Sequence, residues 1–318
     1  MLFLVTLVNY NYLVRMKLKY EPVVKAVNEV MEQYTVRLTV RQIYYRMVSP
    51  PYQLFPNTVQ SYKGFDHMLT RAREKADVDW RRIEDRARRT EGGDSGFRDP
   101  ESYVASLISW LNADMYDRKM WLNQSQLVEV WVEKDALATL FSSVTVGFKT
   151  VLFPTRGYSS FTGVMEAITR FKDAVEQSKP VTILHFTDHD PSGLNMTEDL
   201  ENRLRKYRAG DVTVKRVMLT IEQVKKYGLA PNPTKKADSR TPRYVAQYGD
   251  ECWELDAVDP DELQKLVGEY VAAEVNEEIW DRTLKEIEEE KKMIGNAIKA
   301  EEGAIKRLLK RITKRLGD

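Results

Sequence analysis

Cysteine is almost absent from this chain of 318 residues, in which Cys252 is the one example. A single thiol excludes an internal disulfide and any zinc site built from several cysteines. Such cysteine usage is typical of a reducing interior, so we expect a cytoplasmic protein. The sequence also contains no GxxxxGK phosphate loop, which excludes ATP hydrolysis of the usual P-loop type.

An excess of charge of either sign is missing as well. The chain carries 49 Lys and Arg against 48 Asp and Glu. Any nucleic-acid surface must therefore come from local clustering of basic residues. The apolar opening is too short to span a bilayer and is not preceded by the basic residues of a secretory signal, so no membrane partner is expected. We expect residues 1–15 to be an extension ahead of a true start at Met16, with an extra strand or a loose tail as the alternative.

Three amphipathic helices are predicted near the start of the chain, at about residues 21–34, 38–48 and 57–75. A basic segment, DWRRIEDRARR, follows the third helix. Three short helices with a basic third element resemble a helix-turn-helix or winged-helix module, so we predict a DNA-binding domain over residues 16–90. A solvated helical face of mixed charge is the alternative. The DNA-contacting residues predicted here are Arg46, Arg71, Arg73, Arg81 and Arg82.

A parallel sheet is predicted beyond a linker and connecting helix at residues 91–119, of which the first part is rich in Gly, Asp and Ser. Alternating strands and helices predict an α/β domain at residues 120–272, a doubly wound parallel sheet with helices on both faces. In such sheets ligands bind beyond the carboxyl ends of the strands. The strands are predicted at LVEVWVE, FKTVLFP, VTILHFT and VTVKRVML, and two of the helices at FTGVMEAITRFKDAV and GLNMTEDLENRLRKY.

Two further segments complete the chain. A proline-containing loop at residues 229–250 carries Lys235 and Lys236, which either contact a phosphate backbone or form a solvated surface. The tail at residues 273–318 is predicted to be one long charged helix. Its narrow apolar stripe predicts packing on a partner helix or a short coiled coil. The stripe consists of Ile287, Ile294, Ile298, Ile305, Leu309, Ile312 and Leu316.

Three carboxylates follow strands of the predicted sheet. Glu133 closes the first strand, and Asp188 and Asp190 close the third. Since parallel strands end at one edge, the three acids are expected on the same rim, where oxygen-only ligands favour Mg²⁺. Taken singly, each acid is equally consistent with a helix first turn, a turn or a cap. Between these acids in the sequence, the segment PTRGYSS, which contains Arg156, leads from a strand into a helix. The backbone N–H groups at the start of that helix suit an anion.

Two adjacent tyrosines occur in the segment RQIYYRM at residues 41–47. On a helical wheel Tyr44 lies with the apolar residues, whereas Arg41 and Tyr45 share the flank, one turn apart. We therefore predict that Tyr44 packs, that Tyr45 is a free phenol and that the guanidinium of Arg41 binds phosphate. The alternative is two partly buried aromatic residues. His189, between the two aspartates, is expected to face outward.

These motifs occur in a specific order, and together they resemble a known family. The acidic segments VEKDA and DHDPSG, with RGYSS between them, resemble a Toprim domain. Preceded by RQIYY, they are similar to the A subunit of topoisomerase VI and its meiotic break-forming relatives, over about residues 20–225. The shortened mini-A type of mobile elements is the closest form, because little chain precedes Tyr45.

The resemblance implies a type IIB topoisomerase-like transesterase that cleaves double-stranded DNA. Tyr45, with Arg41 beside it, would attack a phosphate, and Glu133, Asp188 and Asp190 would hold Mg²⁺. It further implies a nucleoid-associated homodimer in which each tyrosine works with the metal of the opposite subunit. The short N-terminal region leaves dependence on an ATPase B subunit in doubt.

One residue departs from the family pattern: Ser192 stands where topoisomerase VI commonly has an aromatic residue, which leaves the local DNA contacts open. Two other functions stay open as well. One is a Toprim nuclease in which metal-activated water attacks the phosphate and Tyr45 only packs. The other is a DNA-binding protein without catalysis.

Overall fold

A computed structural model describes residues 18–84, 96–235 and 237–316, apart from the side chain of Ile108. The expected N-terminal extension and Lys236 lie outside these residues. The chain has a mixed α/β fold with a parallel sheet and a long C-terminal helix, which confirms the predicted class at this level. No helix in the described residues is long and apolar enough to cross a bilayer.

The N-terminal part consists of three helices, as the periodicity predicted. They are α1 (Tyr20–Gln33), α2 (Val40–Val48) and α3 (Val59–Glu74). Two short strands, β1 (Leu38–Thr39) and β2 (Ile83–Glu84), pair in parallel beside them. The apolar faces of the helices meet in one buried cluster that holds α2 in place.

Helix α2 begins at a capping box. The hydroxyl of Thr39 accepts a hydrogen bond from the backbone N–H of Gln42 at 3.0 Å, and the side-chain oxygen of Gln42 accepts one from the N–H of Thr39 at 2.9 Å. Reciprocal capping of this kind satisfies two of the donors that a helix start leaves unpaired. It fixes the first turn of α2, which carries Arg41.

The central sheet has four parallel strands in the order β4, β3, β5, β6. They are β3 (Leu127–Val132), β4 (Val151–Pro154), β5 (Val181–Phe186) and β6 (Val212–Met218). All four were predicted from short apolar runs. The last residues of β3 and β5 are directly paired, so these two strands end at the same edge of the sheet.

Helices cover both faces of the sheet, as predicted. Alternate residues of a strand point to opposite faces, so Val130 packs with the helices of one side and Trp131 with those of the other. Helices α5 (Ala138–Thr145) and α10 (Pro260–Ala272) lie on the first face. Helices α6 (Phe161–Glu176) and α7 (Pro191–Lys206) lie on the second.

After β6 the chain returns to the edge of the sheet through α8 (Ile221–Tyr227), β7 (Asn232–Pro233), α9 (Thr241–Tyr248) and β8 (Glu251–Cys252). The segment at residues 229–250, predicted to be a loop, therefore contains a strand and a helix. Strands β7 and β8 pair antiparallel. An isolated bridge between His189 and Trp253 then brings the residues after β8 against the end of β5.

The long helix α11 (Glu277–Leu316) confirms the predicted helical tail. It packs against α4 (Pro100–Trp110), and Leu309 of the predicted apolar stripe is buried. Arg118 forms ion pairs with two acids in the first half of α11, Glu286 and Glu290. The partner helix expected for the stripe is therefore supplied in part by α4 of the same chain.

Candidate functional site

A cavity of about 1270 Å³ opens between the N-terminal helices and the carboxyl ends of β3 and β5. Its position agrees with the rule that parallel sheets bind ligands at this edge. Residues from both halves of the chain form its walls. The predicted site residues that line it are Arg41, Arg73, Glu133, Arg156, Asp188, Asp190 and Lys235.

The three predicted carboxylates do gather at the sheet edge. Glu133 follows β3 directly, and its Oε2 accepts a hydrogen bond from the backbone N–H of Asp188 at 3.0 Å. Asp188 is buried, and its Oδ1 accepts a bond from the N–H of Leu255 at 2.8 Å. Asp190 caps α7, where its Oδ1 accepts from the N–H of Gly193 at 2.6 Å. Adjacent strand ends therefore place these acids on one wall.

A lysine lies at the centre of this acidic cluster. The Nζ of Lys134 is 2.9 Å from Asp188 Oδ2, 2.9 Å from Glu254 Oε2 and 2.6 Å from Asp256 Oδ2. Sequence reasoning missed Glu254 and Asp256, although their spacing in WELDA repeats that of the acids in DHDPS. They reach the edge only through the bridge after β8, which strand order alone does not reveal.

The protonation of these groups is strongly perturbed. Burial raises the pKa of Asp188 well above its usual range, against the opposing charge of Lys134 and with the charge of Glu133 adding to the rise. Burial also raises the pKa of Glu133, although Lys134 opposes it. For Glu254 the effect of burial is outweighed by Lys134 and Arg41, which lower its pKa to about 2. The cluster thus holds more buried carboxylates than cations to pair with them.

A Mg²⁺ site was predicted at this edge of the sheet. Within the described ranges no group of three or more His, Cys, Asp or Glu side chains is arranged to hold a metal ion. The carboxylates of Glu133, Asp188 and Asp190 nevertheless border one cavity, and such oxygens are the ligands that Mg²⁺ prefers. The residues are of the type that a hard divalent cation prefers, but their present placement is not that of a metal site, and Lys134 occupies Asp188.

Both tyrosines of α2 are buried, so the prediction of an open Tyr45 is wrong. Tyr44 is 2% exposed and Tyr45 is 1% exposed. The flank that the helical wheel left open is covered by Asn232, whose Nδ2 donates to the hydroxyl of Tyr45 at 2.7 Å. The hydroxyl of Tyr44 instead donates to Asn57 Oδ1 at 3.0 Å, and Asn57 does not line the cavity.

The phenol of Tyr45 lies one hydrogen bond behind the cavity, because Asn232 itself lines it. Burial raises the pKa of Tyr45 above its usual value, and the negative charge of Glu254 adds to the rise. Asn232, Arg41 and Lys134 act in the opposite direction. In this arrangement the phenol is neutral near neutral pH, and its hydroxyl is shielded from solvent.

The guanidinium of Arg41 contacts a carboxylate. Its Nε donates to Glu254 Oε2 at 2.5 Å, and its Nη2 donates to the other oxygen of the same group. The guanidinium also lies over the ring of Tyr62, with 4.8 Å from the carbon to the ring centroid. Because Glu254 also contacts Lys134, this bidentate pair connects α2 to the acidic cluster.

Two of the predicted DNA-contacting arginines are used inside the protein. Arg46 binds Asp259 and the carbonyl of Ala257, and Arg82 binds the carbonyls of Tyr34 and Met31. These contacts hold the N-terminal helices together and to the segment after β8. We therefore no longer assign Arg46 and Arg82 to DNA.

Most of the other described basic residues are exposed, whereas Arg73 is half-buried. Arg71 is exposed, and Arg81 forms an exposed ion pair with Asp79 at 2.9 Å. The side chain of Arg156 is 75% exposed and lies 3.4 Å from Asp135 at the cavity rim. Arg73 and Lys235 also line the cavity, so it contains cations as well as acids. Lys236 lies outside the described residues.

His189 does not face outward as predicted. It is 1% exposed, and its Nδ1 lies 2.8 Å from the hydroxyl of Tyr244. Burial lowers its pKa to about 4. A buried neutral imidazole that holds α9 against the sheet edge is a structural residue.

Comparisons of this chain with protein-family models, with curated proteins and with solved structures find no match. Function must therefore be argued from the site itself. The site combines buried carboxylates with the ammonium group of Lys134 between them. The phenol of Tyr45 lies one hydrogen bond behind the cavity.

Proposed function

We propose that this protein is a DNA strand-cleaving transesterase in which Tyr45 attacks a backbone phosphate of double-stranded DNA. We also propose that the N-terminal helices form a winged-helix-like domain and that the sheet domain is a Toprim domain. The proposal also includes the homodimer and the Mg²⁺ that the resemblance to the topoisomerase VI A subunit implies. Because Tyr45 lies directly behind a cavity lined by the acids of its own chain, the proposal pairs each tyrosine with the acids of its own subunit and not with those of the opposite one.

One observation carries the proposal: the groups that the resemblance assigns to the reaction, which lie far apart in sequence, lie in or directly behind the walls of one cavity. Arg41, Glu133, Asp188 and Asp190 line it, and the hydroxyl of Tyr45 is held by a lining residue. Packing of the N-terminal helices against the segment after β8 produces this convergence.

The proposed reaction exchanges one phosphoester for another. The Tyr45 oxygen forms a bond to phosphorus, and the bond from phosphorus to the 3′ oxygen breaks. The phenol proton is transferred, in net terms, to the leaving oxygen. The products are a 5′-phosphotyrosyl link and a free 3′-hydroxyl, so no bond energy is lost and religation needs no ATP. Two such cuts, one on each strand, break the duplex.

The residues at the cavity have separate roles in this reaction. Glu133, Asp188 and Asp190 would hold a divalent cation, which when bound offsets charge on the phosphate and the leaving oxygen. Arg73, Arg156 and Lys235 would bind the DNA backbone from the rim, an interaction that weakens with salt. The contact between Asn232 and Tyr45 must open before the attack, because the hydroxyl is otherwise enclosed.

A metal-dependent nuclease is the second candidate, and the burial of Tyr45 favours it. In that reaction a water molecule attacks the phosphate and no protein–DNA link forms. The acids and the basic rim keep the same roles, and Tyr45 only packs. The two candidates therefore differ in the fate of the DNA end.

A covalent-trapping experiment tests the proposal. DNA labelled at its 5′ or 3′ ends is incubated with protein and Mg²⁺, stopped with detergent and run on a denaturing gel. We expect wild type and Tyr44→Phe to retain 3′-labelled fragments, on which the 5′ end carries the protein, and Tyr45→Phe to retain none. Tyr44→Phe is a matched control, because both hydroxyls are buried and hydrogen-bonded. Cleavage by Tyr45→Phe at the wild-type rate would favour the nuclease.

A further inference from the structure

The long helix α11 exposes large apolar side chains to solvent. Met293 is 70% exposed and Leu308 is 49% exposed, whereas Ile287 and Leu309 are buried. Successive residues of an α-helix are about 100° apart around its axis, so Met293 and Leu308 lie within about 60° of each other on the helix surface. We call this exposed face the Met293 face.

Charge is distributed unevenly along the same helix. Residues 277–290 contain seven acids and two bases, whereas residues 291–316 contain nine bases and two acids. Helix α4 cannot neutralise the second half, because Glu101 is its only charged residue. No side chain in a group of five bases near the end of α11 forms an ion pair with another described residue. The five are Arg307, Lys310, Arg311, Lys314 and Arg315.

We propose that α11 pairs antiparallel with α11 of a second copy of this chain, through the Met293 face. Antiparallel pairing sets the acidic half of each helix against the basic half of the other, whereas parallel pairing would set like charges side by side. A two-fold axis between residues 298 and 299 places Met293 opposite Ala304 and Glu289 next to Arg307. The same patch then serves both copies, as a two-fold interface requires.

The dimensions suit such an interface. At 1.5 Å per residue, the 40 residues of α11 extend about 60 Å, so an overlap along most of its length spans the acidic and basic segments together. Exposed apolar side chains flanked by complementary charges are the pattern of paired helices, where the apolar contacts give stability and the charges set orientation. The inference rests on the homodimer of the proposed function and names its surface, but it uses no residue of the cavity, so DNA cleavage can fail while this pairing holds.

The first test measures the oligomeric state of the full chain by sedimentation equilibrium. Wild type is expected to be a dimer. The double variant Arg307→Glu, Lys310→Glu reverses two charges in the basic half of each copy, so the symmetric dimer loses four charge contacts. We expect dimerisation to weaken by at least about tenfold. Reversal in the acidic half, in Glu289→Lys, is expected to weaken dimerisation as well. An equimolar mixture of the two variants should restore a dimer.

The second test fixes the direction of pairing by disulfide trapping. A chain with both Met293→Cys and Ala304→Cys is expected to form a cross-linked dimer on mild oxidation, and Met293→Cys alone is not. The unmodified chain, with Cys252 only, is the control. A monomeric wild type, failure of the charge-reversed mixture to associate, or equal cross-linking by Met293→Cys alone would overturn the proposal. Circular dichroism of each variant separates loss of pairing from loss of folding.

Discussion

Lys134 provides the strongest test of the electrostatics at the cavity, through the substitution Lys134→Met. The ammonium group is the shared partner of Asp188, Glu254 and Asp256, and only 20% of its side chain is exposed. Methionine keeps most of the packing and removes the charge. Loss of one partner of a buried pair costs about 3–5 kcal/mol, because the remaining charges are left uncompensated. With partial exposure we expect about 3 kcal/mol at pH 8.

The stability that Lys134→Met loses should be greater at high pH than at low pH. Burial already raises the pKa of Asp188 above its value in the unfolded chain, and without Lys134 it rises further. The folded state then binds more protons than the unfolded state, so the stability of Lys134→Met increases as the pH falls through the folded pKa. The difference in unfolding free energy between wild type and variant should therefore be largest at pH 8 and smaller at pH 5.5.

A divalent cation should compensate for the lost ammonium. If the acids of the cluster hold Mg²⁺, the variant should gain more stability from MgCl₂ than wild type, because no lysine competes for Asp188. A concentration ten times the dissociation constant would add about 1.4 kcal/mol. Wild type should gain less under the same conditions.

Urea denaturation followed by tryptophan fluorescence, at pH 5.5 and pH 8 with and without MgCl₂, measures all three effects. Lys172→Met is the matched control, because its pair with Glu176 is exposed on both sides and contributes less than about 1 kcal/mol. A Lys134→Met protein as stable as this control at pH 8, or one that loses stability towards pH 5.5 relative to wild type, would refute the reasoning.

Two further substitutions test the wall of the cavity. Arg41→Ala removes the bidentate pair with Glu254 and should lower stability by about 1–2 kcal/mol in thermal denaturation. This figure is reduced for solvent screening, because 38% of the arginine side chain is exposed. An unchanged melting temperature would contradict the link between α2 and the acids. Gly193→Ala should cost at least about 2 kcal/mol and impair cleavage, because the added Cβ would lie 2.2 Å from the carbonyl oxygen of Asp188. The control Gly268→Ala meets its nearest atom at 3.5 Å and should be neutral or mildly stabilising.

Much of the architecture was predictable because it depends on local pattern. Apolar residues at helical spacing identified α1, α2 and α3, and four short apolar runs identified the strands of the sheet. The position of Glu133 beside Asp188 followed from one additional rule, since neighbouring parallel strands end at the same edge. Each of these inferences needs only a segment and its immediate neighbours.

The missed features depend on contacts between distant segments. Asn232 covers Tyr45 from 187 residues away in sequence, and a helical wheel of α2 carries no information about such a neighbour. Glu254 reaches Lys134 only because the chain returns after β8 and bridges to the end of β5. The burial of Tyr45 and the size of the acidic cluster are therefore tertiary properties. Local periodicity cannot predict them.

The most direct test of the account is the chemical identity of the residue joined to DNA. Trypsin cuts after Arg41 and Arg46, so both tyrosines fall in one peptide, Gln-Ile-Tyr-Tyr-Arg. After detergent trapping, nuclease digestion and trypsin, mass spectrometry of this peptide is expected to show a nucleotide on Tyr45 and none on Tyr44. Cleaved DNA with no nucleotide on this peptide, or a nucleotide on Tyr44 alone, would contradict the account.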